Sequence, residues 1–197
     1  MPTTDPMRTR LRLARKQLHP TQRKVFERAI LKQLLRLQNF RNCQNLAIYL
    51  PFDGEVDTRK IIAAAWRMRK AVFLPVLGKN DRLRFVRYTR KSILKPNRYG
   101  IPEPASTNPD DRRPVSGRQL DLVITPLVGF DRQCQRMGMG GGYYDRTFAF
   151  LQRQRHWHRP KLIGLAFELQ KLNRLPLNTW DVPLHQVITE TTVYSRL

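Results

Sequence analysis

Helical spacing of apolar side chains marks the start of the chain. Residues 7–18 and 20–37 are predicted to be two helices, and in the second the apolar side chains recur at helical spacing opposite a basic face. Pro20 suits the first helical position, because proline lacks the amide hydrogen that a first turn leaves unpaired. The pattern therefore places two helices ahead of the first strand.

Short apolar runs follow, and they have the length of buried strands. The clearest are residues 46–50, 71–76, 120–126 and 161–167. Between the first two runs lies an amphipathic segment that is predicted to be a helix capped by Asp57 or Thr58. Strand, helix and strand in this order predict a right-handed parallel unit.

Four further segments complete the pattern. Residues 82–89 alternate in strand fashion, residues 186–194 are rich in β-branched side chains, and residues 148–158 continue as a helix. Residues 97–109, rich in Pro and Asn, are expected to be a loop. Strands that alternate with helices predict an α/β fold: one domain over residues 1–197, with a layered, largely parallel sheet and helices on both faces.

A glycine-rich run is the most informative stretch. Four of the chain's ten glycines fall within residues 138–142. Glycine reaches positive φ and lets successive N–H groups converge on a phosphate. Arg136 in front supplies a cation, and Asp145 behind can hold Mg²⁺. The alternative is a glycine turn that carries two packed tyrosines. The run lacks the Gly-Lys-Ser/Thr of a Walker A motif and the spacing of a dinucleotide fingerprint.

Sheets of this kind bind ligands beyond the carboxyl ends of their strands. Two loops are expected to emerge at that edge, the loop at residues 52–56 and the glycine-rich run. We therefore expect the site to lie between these two loops.

Composition narrows the partners and the compartment. The net charge is +22, from 37 Lys and Arg against 15 Asp and Glu, which favours polyanionic partners at long range, although a solvated basic surface explains it equally well. No RNA- or DNA-binding module signature is present. Cys43 and Cys134 lie far apart without a Cys-x-x-Cys, so neither a disulfide framework nor a zinc site is predicted. Without an apolar signal or spanning segment, a cytoplasmic monomer is expected.

Four patches, taken in order, resemble one known family. They are residues 49–58, 99–104, 125–146 and 175–184. The third, in which Gly129-Phe130-Asp131 precedes the glycine run, is the most specific. From about Met7 to its C-terminus the chain resembles the 5-formyltetrahydrofolate cyclo-ligases, also called 5,10-methenyltetrahydrofolate synthetases.

The resemblance implies a reaction and its partners. MgATP would be used to close 5-formyltetrahydrofolate into 5,10-methenyltetrahydrofolate, with release of ADP and phosphate. The formyl oxygen would attack the γ-phosphate, and N10 would capture the resulting imidate-like ester as phosphate leaves. Such chemistry needs positioning and charge stabilisation more than a protein nucleophile. The implied partners are ATP and the folate, with or without a polyglutamate tail, and no specific nucleic acid is expected.

The resemblance also implies substrate-binding residues. Glu55 matches an acidic contact that would orient the pterin-side amide and stabilise positive charge developing near N5. Leu50, Tyr99 and Tyr143 match substrate-lining positions, where an apolar wall and aromatic faces suit a pterin ring. The alternatives are a solvated loop carboxylate for Glu55 and plain core packing for Leu50 and Tyr99.

The nucleotide and metal positions follow in the same way. The implied ATP-binding residues are Arg8, Arg136, Met137, Gly138, Met139, Gly140, Gly141, Gly142, Tyr143 and Tyr144. Arg136 and Tyr144 join Glu55 as the expected catalytic residues. Asp145 and Asp181 match the Mg²⁺ positions, and two carboxylates leave room for water and phosphate ligands. Asp181 could instead be a turn-forming residue before Val182-Pro183.

The chain departs from the family pattern at three positions. Thr4 replaces a basic residue of the N-terminal motif, which leaves that ATP contact to a neighbouring arginine such as Arg10 or Arg12. Cys134 stands where glycine is usual, which implies either a turn without positive φ or a turn that tolerates strain. His185 replaces an acidic residue and is expected to alter a contact to Asp181.

Two interpretations remain open beside the ligase. His156 and His158 form an isolated His-x-His pair and are expected to be surface residues, since a metal site would need further ligands.

The charge and the departures from the family pattern favour a basic protein that binds nucleic acid or another polyanion on the same scaffold, without the ligase activity. Steep salt dependence of such binding would distinguish this hypothesis.

Overall fold

A computed structural model describes residues 6–105, 113–153, 159–176 and 178–196. Its helices are α1 (Pro6–Lys16), α2 (Pro20–Arg36), α3 (Gln38–Asn42), α4 (Arg59–Arg67), α5 (Tyr143–Phe148) and α6 (Phe150–Arg153). The predictions of the first two helices and of the helix after Thr58 are confirmed. No helix in these ranges is long and apolar enough to cross a membrane.

Eleven strands are found in the described residues. They are β1 (Asn45–Ala47), β2 (Ala71–Leu77), β3 (Leu83–Arg87), β4 (Ile93–Pro96), β5 (Pro102–Ala105), β6 (Leu122–Thr125), β7 (Gly129–Phe130), β8 (Arg136–Met137), β9 (Lys161–Leu165), β10 (Gln186–Ile188) and β11 (Val193–Ser195). Seven form the central sheet, while β4 with β5 and β7 with β8 form two small antiparallel hairpins.

The central sheet is mixed and largely parallel, as predicted. Its order is β11-β10-β9-β6-β1-β2-β3, and only the edge strands β11 and β3 run antiparallel to their neighbours. β1 pairs with β2 on one side and with β6 on the other. The chain therefore extends the sheet first in one direction and then in the other, which opens a crevice beyond the carboxyl ends of β1 and β6.

Side chains of the strands alternate between two cores, as strand geometry requires. Leu46 and Leu122 belong to a buried cluster that includes residues of α2 and α4. Ala47 and Val123 belong to a second cluster that includes Phe148 of α5. Helices therefore cover both faces of the sheet, which confirms the predicted α/β layering.

Two predicted segments need correction. Residues 97–109 are not all loop, because β5 pairs with β4 in a hairpin; proline is tolerated there since each strand has a free edge. The helix predicted at 148–158 begins earlier, at Tyr143, and is divided into α5 and α6 near Ala149. Residues 154–158, where its end was predicted, lie outside the described residues. Between β6 and the glycine run the chain forms the β7–β8 hairpin.

Candidate active site

Glu55 lies in a tight turn beyond the carboxyl end of β1. Glu55 N donates to Phe52 O at 3.0 Å, and the central residues Asp53 and Gly54 have φ of 51° and 78°. Positive φ at both central positions is type I′ geometry, which Asp-Gly favours. The Glu55 carboxylate folds back on this turn, and its Oε2 accepts a hydrogen bond from Phe52 N at 3.1 Å.

Basic side chains of α1 hold this Glu55 turn. The Asp53 carboxylate contacts Arg12 Nε at 2.6 Å and Arg15 Nη2 at 3.3 Å, and Lys16 Nζ contacts its other oxygen. Burial raises the pKa of Asp53, but the hydrogen bonds from Arg12 and Lys16 outweigh burial and hold the pKa at about 2. The turn is therefore anchored by charged contacts at neutral pH.

The Glu55 carboxyl has an environment unlike that of a solvated loop residue. Burial raises its pKa to about 7, although the nearby charge of Arg15 lowers it. Burial and then the charge of Glu55 also raise the pKa values of Tyr49 and Tyr144. Glu55 therefore lies beside Tyr144 of α5. A carboxyl group with a raised pKa in a crevice is a candidate functional group.

The glycine run forms an open loop between β8 and α5. Gly140 and Gly142 have φ of 100° and 62°, and a Cβ at Gly138 or Gly140 would meet nothing within 4 Å. In the described part of the chain the amides of residues 138–142 donate no hydrogen bond, whereas Gly138 O accepts one from Arg8 Nε at 3.0 Å. Unpaired N–H groups on a backbone that a ligand can approach closely suit a phosphate chain.

Arg136 and Asp145 form an ion pair beneath this loop. Arg136 Nη2 lies 2.8 Å from Asp145 Oδ1, which also accepts a hydrogen bond from Val182 N at 3.0 Å. Arg136 Nη1 donates to Val182 O, and the guanidinium carbon lies 5.9 Å from the centroid of the Tyr144 ring. These contacts join β8, the start of α5 and the segment at Val182.

A cavity of about 860 Å³ opens beside the ion pair. Its cationic side chains are Arg8, Arg82, Arg136, Arg146 and Arg153. The backbone of the glycine loop and the carboxylates of Asp145 and Asp181 line the same cavity. Open glycine amides, arginines and two carboxylates in one cavity are the groups that a metal-bound polyphosphate requires.

Asp145 and Asp181 fit Mg²⁺ by the type of their donor atoms. The contacts within the described residues use Oδ1 of Asp145 and Oδ2 of Asp181, which accepts from Asn178 N at 3.0 Å and from Asn178 Nδ2 at 3.1 Å. One oxygen of each carboxylate therefore remains for a cation. No described cluster of three His, Cys, Asp or Glu side chains could hold a metal alone, so phosphate oxygens and water would complete the shell.

The tyrosines predicted to line the substrate site meet each other. The hydroxyl oxygens of Tyr99 and Tyr143 lie 2.9 Å apart, and Arg98 Nη2 donates to the Tyr143 hydroxyl at 3.1 Å. Tyr99 is 49% exposed, so it is not a core residue. Leu50, in contrast, packs against the buried cluster on the α2 side. Tyr143 therefore contacts Tyr99, and the next residue, Tyr144, lies near enough to Glu55 for that carboxylate to affect its pKa.

Comparison with known proteins decides the family. A family model described as "5-formyltetrahydrofolate cyclo-ligase family" matches residues 2–190. The chain belongs to the 5-formyltetrahydrofolate cyclo-ligase family. Its resemblance to that family, predicted from the four sequence patches, is confirmed.

Individual cyclo-ligases agree with this assignment. The chain is 37% identical to the 5-formyltetrahydrofolate cyclo-ligase of Haemophilus influenzae, over 92% of this chain and 95% of that protein. It is 38% identical to the cyclo-ligase of Escherichia coli K12, over 93% and 98%. The solved structure of Aquifex aeolicus 5,10-methenyltetrahydrofolate synthetase matches with a TM-score of 0.78 at 26% identity, covering 96% of this chain and 90% of that one.

Only some of the residues that were predicted to bind ATP in this cyclo-ligase family member line the cavity. The residues that line it are Arg8, Arg136, Met137, Gly138, Gly140 and Gly142, and those that do not are Met139, Gly141, Tyr143 and Tyr144. Met139 is 50% exposed, and a Cβ at Gly141 would lie 2.7 Å from the Tyr143 ring. A side chain at position 141 would therefore clash with Tyr143, and the ATP-binding roles of all four residues remain predictions.

Several residues that line the cavity were not predicted from the sequence. Arg146 Nε donates to Asp81 O at 3.1 Å, and its guanidinium lies 5.3 Å from the centroid of the Tyr143 ring. Its position directly after Asp145 was an available signal. Arg82 lies just before β3, and Trp180 is 65% exposed; both line the cavity. Arg82 reaches the cavity only through the folding of the sheet, which spacing along the chain does not reveal.

The three departures have different outcomes. Cys134 has φ of 60°, so the turn does tolerate a left-handed residue, and the thiol is buried. His185 Nδ1 accepts a hydrogen bond from Leu162 N at 3.0 Å, and the expected effect on Asp181 remains a prediction. Thr4 lies outside the described residues, as do His156 and His158.

Neither arginine proposed to compensate for Thr4 reaches the nucleotide cavity. Arg12 is bound to Asp53, and neither Arg12 nor Arg10 lines the cavity. Compensation for Thr4 by a neighbouring arginine remains a prediction. Of the arginines of α1, Arg8 is the one that contacts the glycine loop.

Proposed function

We propose that the chain catalyses the ATP- and Mg²⁺-dependent cyclisation of 5-formyltetrahydrofolate to 5,10-methenyltetrahydrofolate, with release of ADP and phosphate. One observation carries the proposal: the 860 Å³ cavity joins open glycine amides, arginines and two carboxylates, and its Arg136 acts on the pKa of Tyr144, which burial and the charge of Glu55 raise. Membership of the cyclo-ligase family supports it.

The proposed reaction needs two substrates in line. The formyl oxygen attacks the γ-phosphorus as the bond to ADP breaks, and N10 then attacks the activated formyl carbon, which releases phosphate as N10 loses its proton. The first step collects negative charge on phosphoryl oxygens, and Arg136 is placed beside Asp145 to stabilise it. Mg²⁺ held by Asp145 and Asp181 would neutralise charge on the phosphates.

Glu55 and the tyrosines act on the folate in this proposal. The product carries a positive charge shared by N5 and N10, so an ionised carboxylate beside N5 stabilises the transition state that leads to it. Tyr99 and Tyr143 provide aromatic faces for the pterin and benzoyl rings, and Arg98 fixes the Tyr143 hydroxyl. Tyr144 keeps its proton because burial raises its pKa, so its hydroxyl can donate a hydrogen bond to a substrate.

The proposal also covers the oligomeric state of the enzyme, its compartment and the form of its folate substrate. We propose that the enzyme acts as a cytoplasmic monomer and that its folate substrate carries a polyglutamate tail in the cell. The basic surface would attract such a tail and ATP at long range, without specific nucleic-acid binding.

A direct assay tests the function. The purified chain, MgATP and 5-formyltetrahydrofolate should develop the near-ultraviolet absorbance of the methenyl product together with one equivalent of ADP. A folded protein that yields neither product contradicts the proposal. A titration with single-stranded and duplex nucleic acid at physiological salt tests the alternative, since tight and steeply salt-dependent binding by an inactive protein would favour it.

A further inference from the structure

Arg15 joins the two halves of the site from inside the protein. Its side chain is 0% exposed. Its Nε donates to Asp53 O at 3.0 Å, and its Nη1 donates to Leu127 O at 3.0 Å. Leu127 lies just beyond β6, in the segment that leads through β7 and β8 to Arg136 and the glycine loop. One guanidinium therefore bonds both segments that leave the adjacent ends of β1 and β6.

The surroundings of Arg15 explain why an arginine lies there. A buried charge is costly unless it is paired and hydrogen-bonded, and Asp53 supplies both the charge and a carbonyl. The carbonyl of Arg15 in turn accepts from Arg23 Nη2, and Arg23 Nη1 donates to the carbonyls of Gly54 and Glu55 at 3.1 and 3.3 Å. Arg15 bonds Asp53 O, the Asp53 carboxylate and Leu127 O from three separate nitrogens of a planar fork, a geometry that the single nitrogen of lysine does not reproduce.

We propose that Arg15 is a positioning residue of the ligase reaction: it fixes the Glu55 turn against the Leu127 segment and so sets the alignment of the folate with the nucleotide. The inference rests on the proposed function. It assigns a role to a residue that touches neither substrate. A displacement of about 1 Å between two reacting groups can lower a rate by roughly 100-fold, so the alignment matters more than the affinity for either ligand.

The test uses Arg15→Lys, which keeps the charge but not the two-sided contact. We expect kcat to fall roughly 10- to 100-fold, while the Kd values for a nonhydrolysable ATP analogue and for 5-formyltetrahydrofolate, measured singly by calorimetry, each stay within about threefold. Arg28→Lys is the matched control, because Arg28 is an exposed arginine of α2 with no described contact to the Glu55 turn or to the Leu127 segment. Its activity should stay within about twofold of the wild type.

A double-mutant cycle separates positioning from general stability. If Arg15 acts through the Glu55 turn, Arg15→Lys should cost much less in a Glu55→Gln background than in the wild type, since the aligned carboxylate is already lost. A purely structural role predicts the same fold-change in both backgrounds. Equal costs, or wild-type activity of folded Arg15→Lys, would overturn the proposal.

A second variant decides the matter if Arg15→Lys does not fold. Asp53→Asn keeps the shape of the turn and weakens the same anchor, and we expect its kcat to fall several-fold with both Kd values retained. Unchanged kcat in folded Asp53→Asn would then overturn the proposal. An inactive wild type would refute the proposed function itself, whereas an active wild type with unaffected variants refutes only the role of Arg15.

Discussion

The two loops that frame the site differ in how they are held. The Glu55 turn is fixed by charged side chains from α1 and α2, and its own carboxylate closes the turn on Phe52 N. The glycine loop is contacted by two described side chains from outside, Arg8, which donates to Gly138 O, and Arg146, which donates to Gly141 O, and its amides at residues 138–142 donate no hydrogen bond within the described structure. If the proposed site assignment holds, the folate side is organised before a ligand arrives, while the nucleotide side is ordered by the phosphates it binds.

This difference matches the chemistry of the two ligands. A triphosphate brings its own charge and can order a loop of open N–H groups around it. A pterin is a flat, weakly charged ring, so its orientation must come from a site that is already rigid. The two loops should accordingly respond differently to substitution.

Asp145→Asn should give the largest loss on the nucleotide side. The amide keeps an acceptor for Val182 N but removes the charge that pairs with Arg136 and would hold Mg²⁺. We expect kcat/KM for ATP to fall by at least about 100-fold, while folate binding is retained. Calorimetry with each ligand checks this, with Glu103→Gln as a control carboxylate that does not line the cavity. Equal loss of both ligands would contradict the assignment.

Glu55→Gln should give a smaller loss, confined to the folate side. We expect a fall of roughly 10- to 100-fold in kcat/KM for the folate and an unchanged Kd for the ATP analogue. Because burial raises the pKa of Glu55 to about 7 and the ionised form is the one required, wild-type kcat/KM should rise as pH increases through about 7. The Gln variant should lack that inflection, and an inflection that persists would assign it to another group.

Alanine substitutions at two glycines distinguish an effect on loop conformation from an effect on ligand contact. Gly142→Ala places a Cβ at φ of 62° and 2.7 Å from Arg146 Nη1, so it should lower the free energy of unfolding by about 1–2 kcal/mol even without ligand. Gly138→Ala meets nothing within 4 Å and should leave the melting temperature unchanged, yet weaken the ATP analogue several-fold because Gly138 lines the cavity. The reverse pattern would show that the loop does not approach the phosphates.

A substitution at His185, which lies outside both loops, should have the smallest effect, a change in how the free energy of unfolding depends on pH. Burial lowers its pKa to about 4, below the ordinary value of 6.5, so the unfolded chain binds a proton in this interval that the folded chain does not. Its contribution is complete above pH 6.5 and is lost as the pH falls toward 4. The difference in unfolding free energy between wild type and His185→Asn should shift over that interval by on the order of 1 kcal/mol, after allowance for solvent screening. Glu55, whose pKa is raised, acts in the opposite direction but cancels in this difference. A pH-independent difference would show that His185 does not titrate in this range.

The parts of the molecule that follow local patterns were predictable from the sequence. Apolar periodicity identified α1, α2 and the parallel strands, and the glycine spacing identified the open loop. The anchors of the Glu55 turn were not predictable, because Arg15, Asp53 and Leu127 meet only when β1 and β6 become neighbours. For the same reason Arg82 was missed, and Arg12 was given a nucleotide role although it binds Asp53. Arg8 and Arg15 are both arginines of α1 and look alike in the sequence, yet Arg8 lines the cavity and Arg15 holds the Glu55 turn.

Amide hydrogen exchange of the two loops, with and without the nonhydrolysable MgATP analogue, tests the central claim most directly. Without ligand, the amides of Phe52 and Glu55 should exchange slowly because both are bonded within the turn, whereas those of residues 138–142 should exchange rapidly. The analogue should slow exchange at 138–142 and leave the Glu55 turn unchanged. Rapid exchange at Phe52 and Glu55 in the free protein, or protection of 138–142 before the nucleotide is added, would contradict the account.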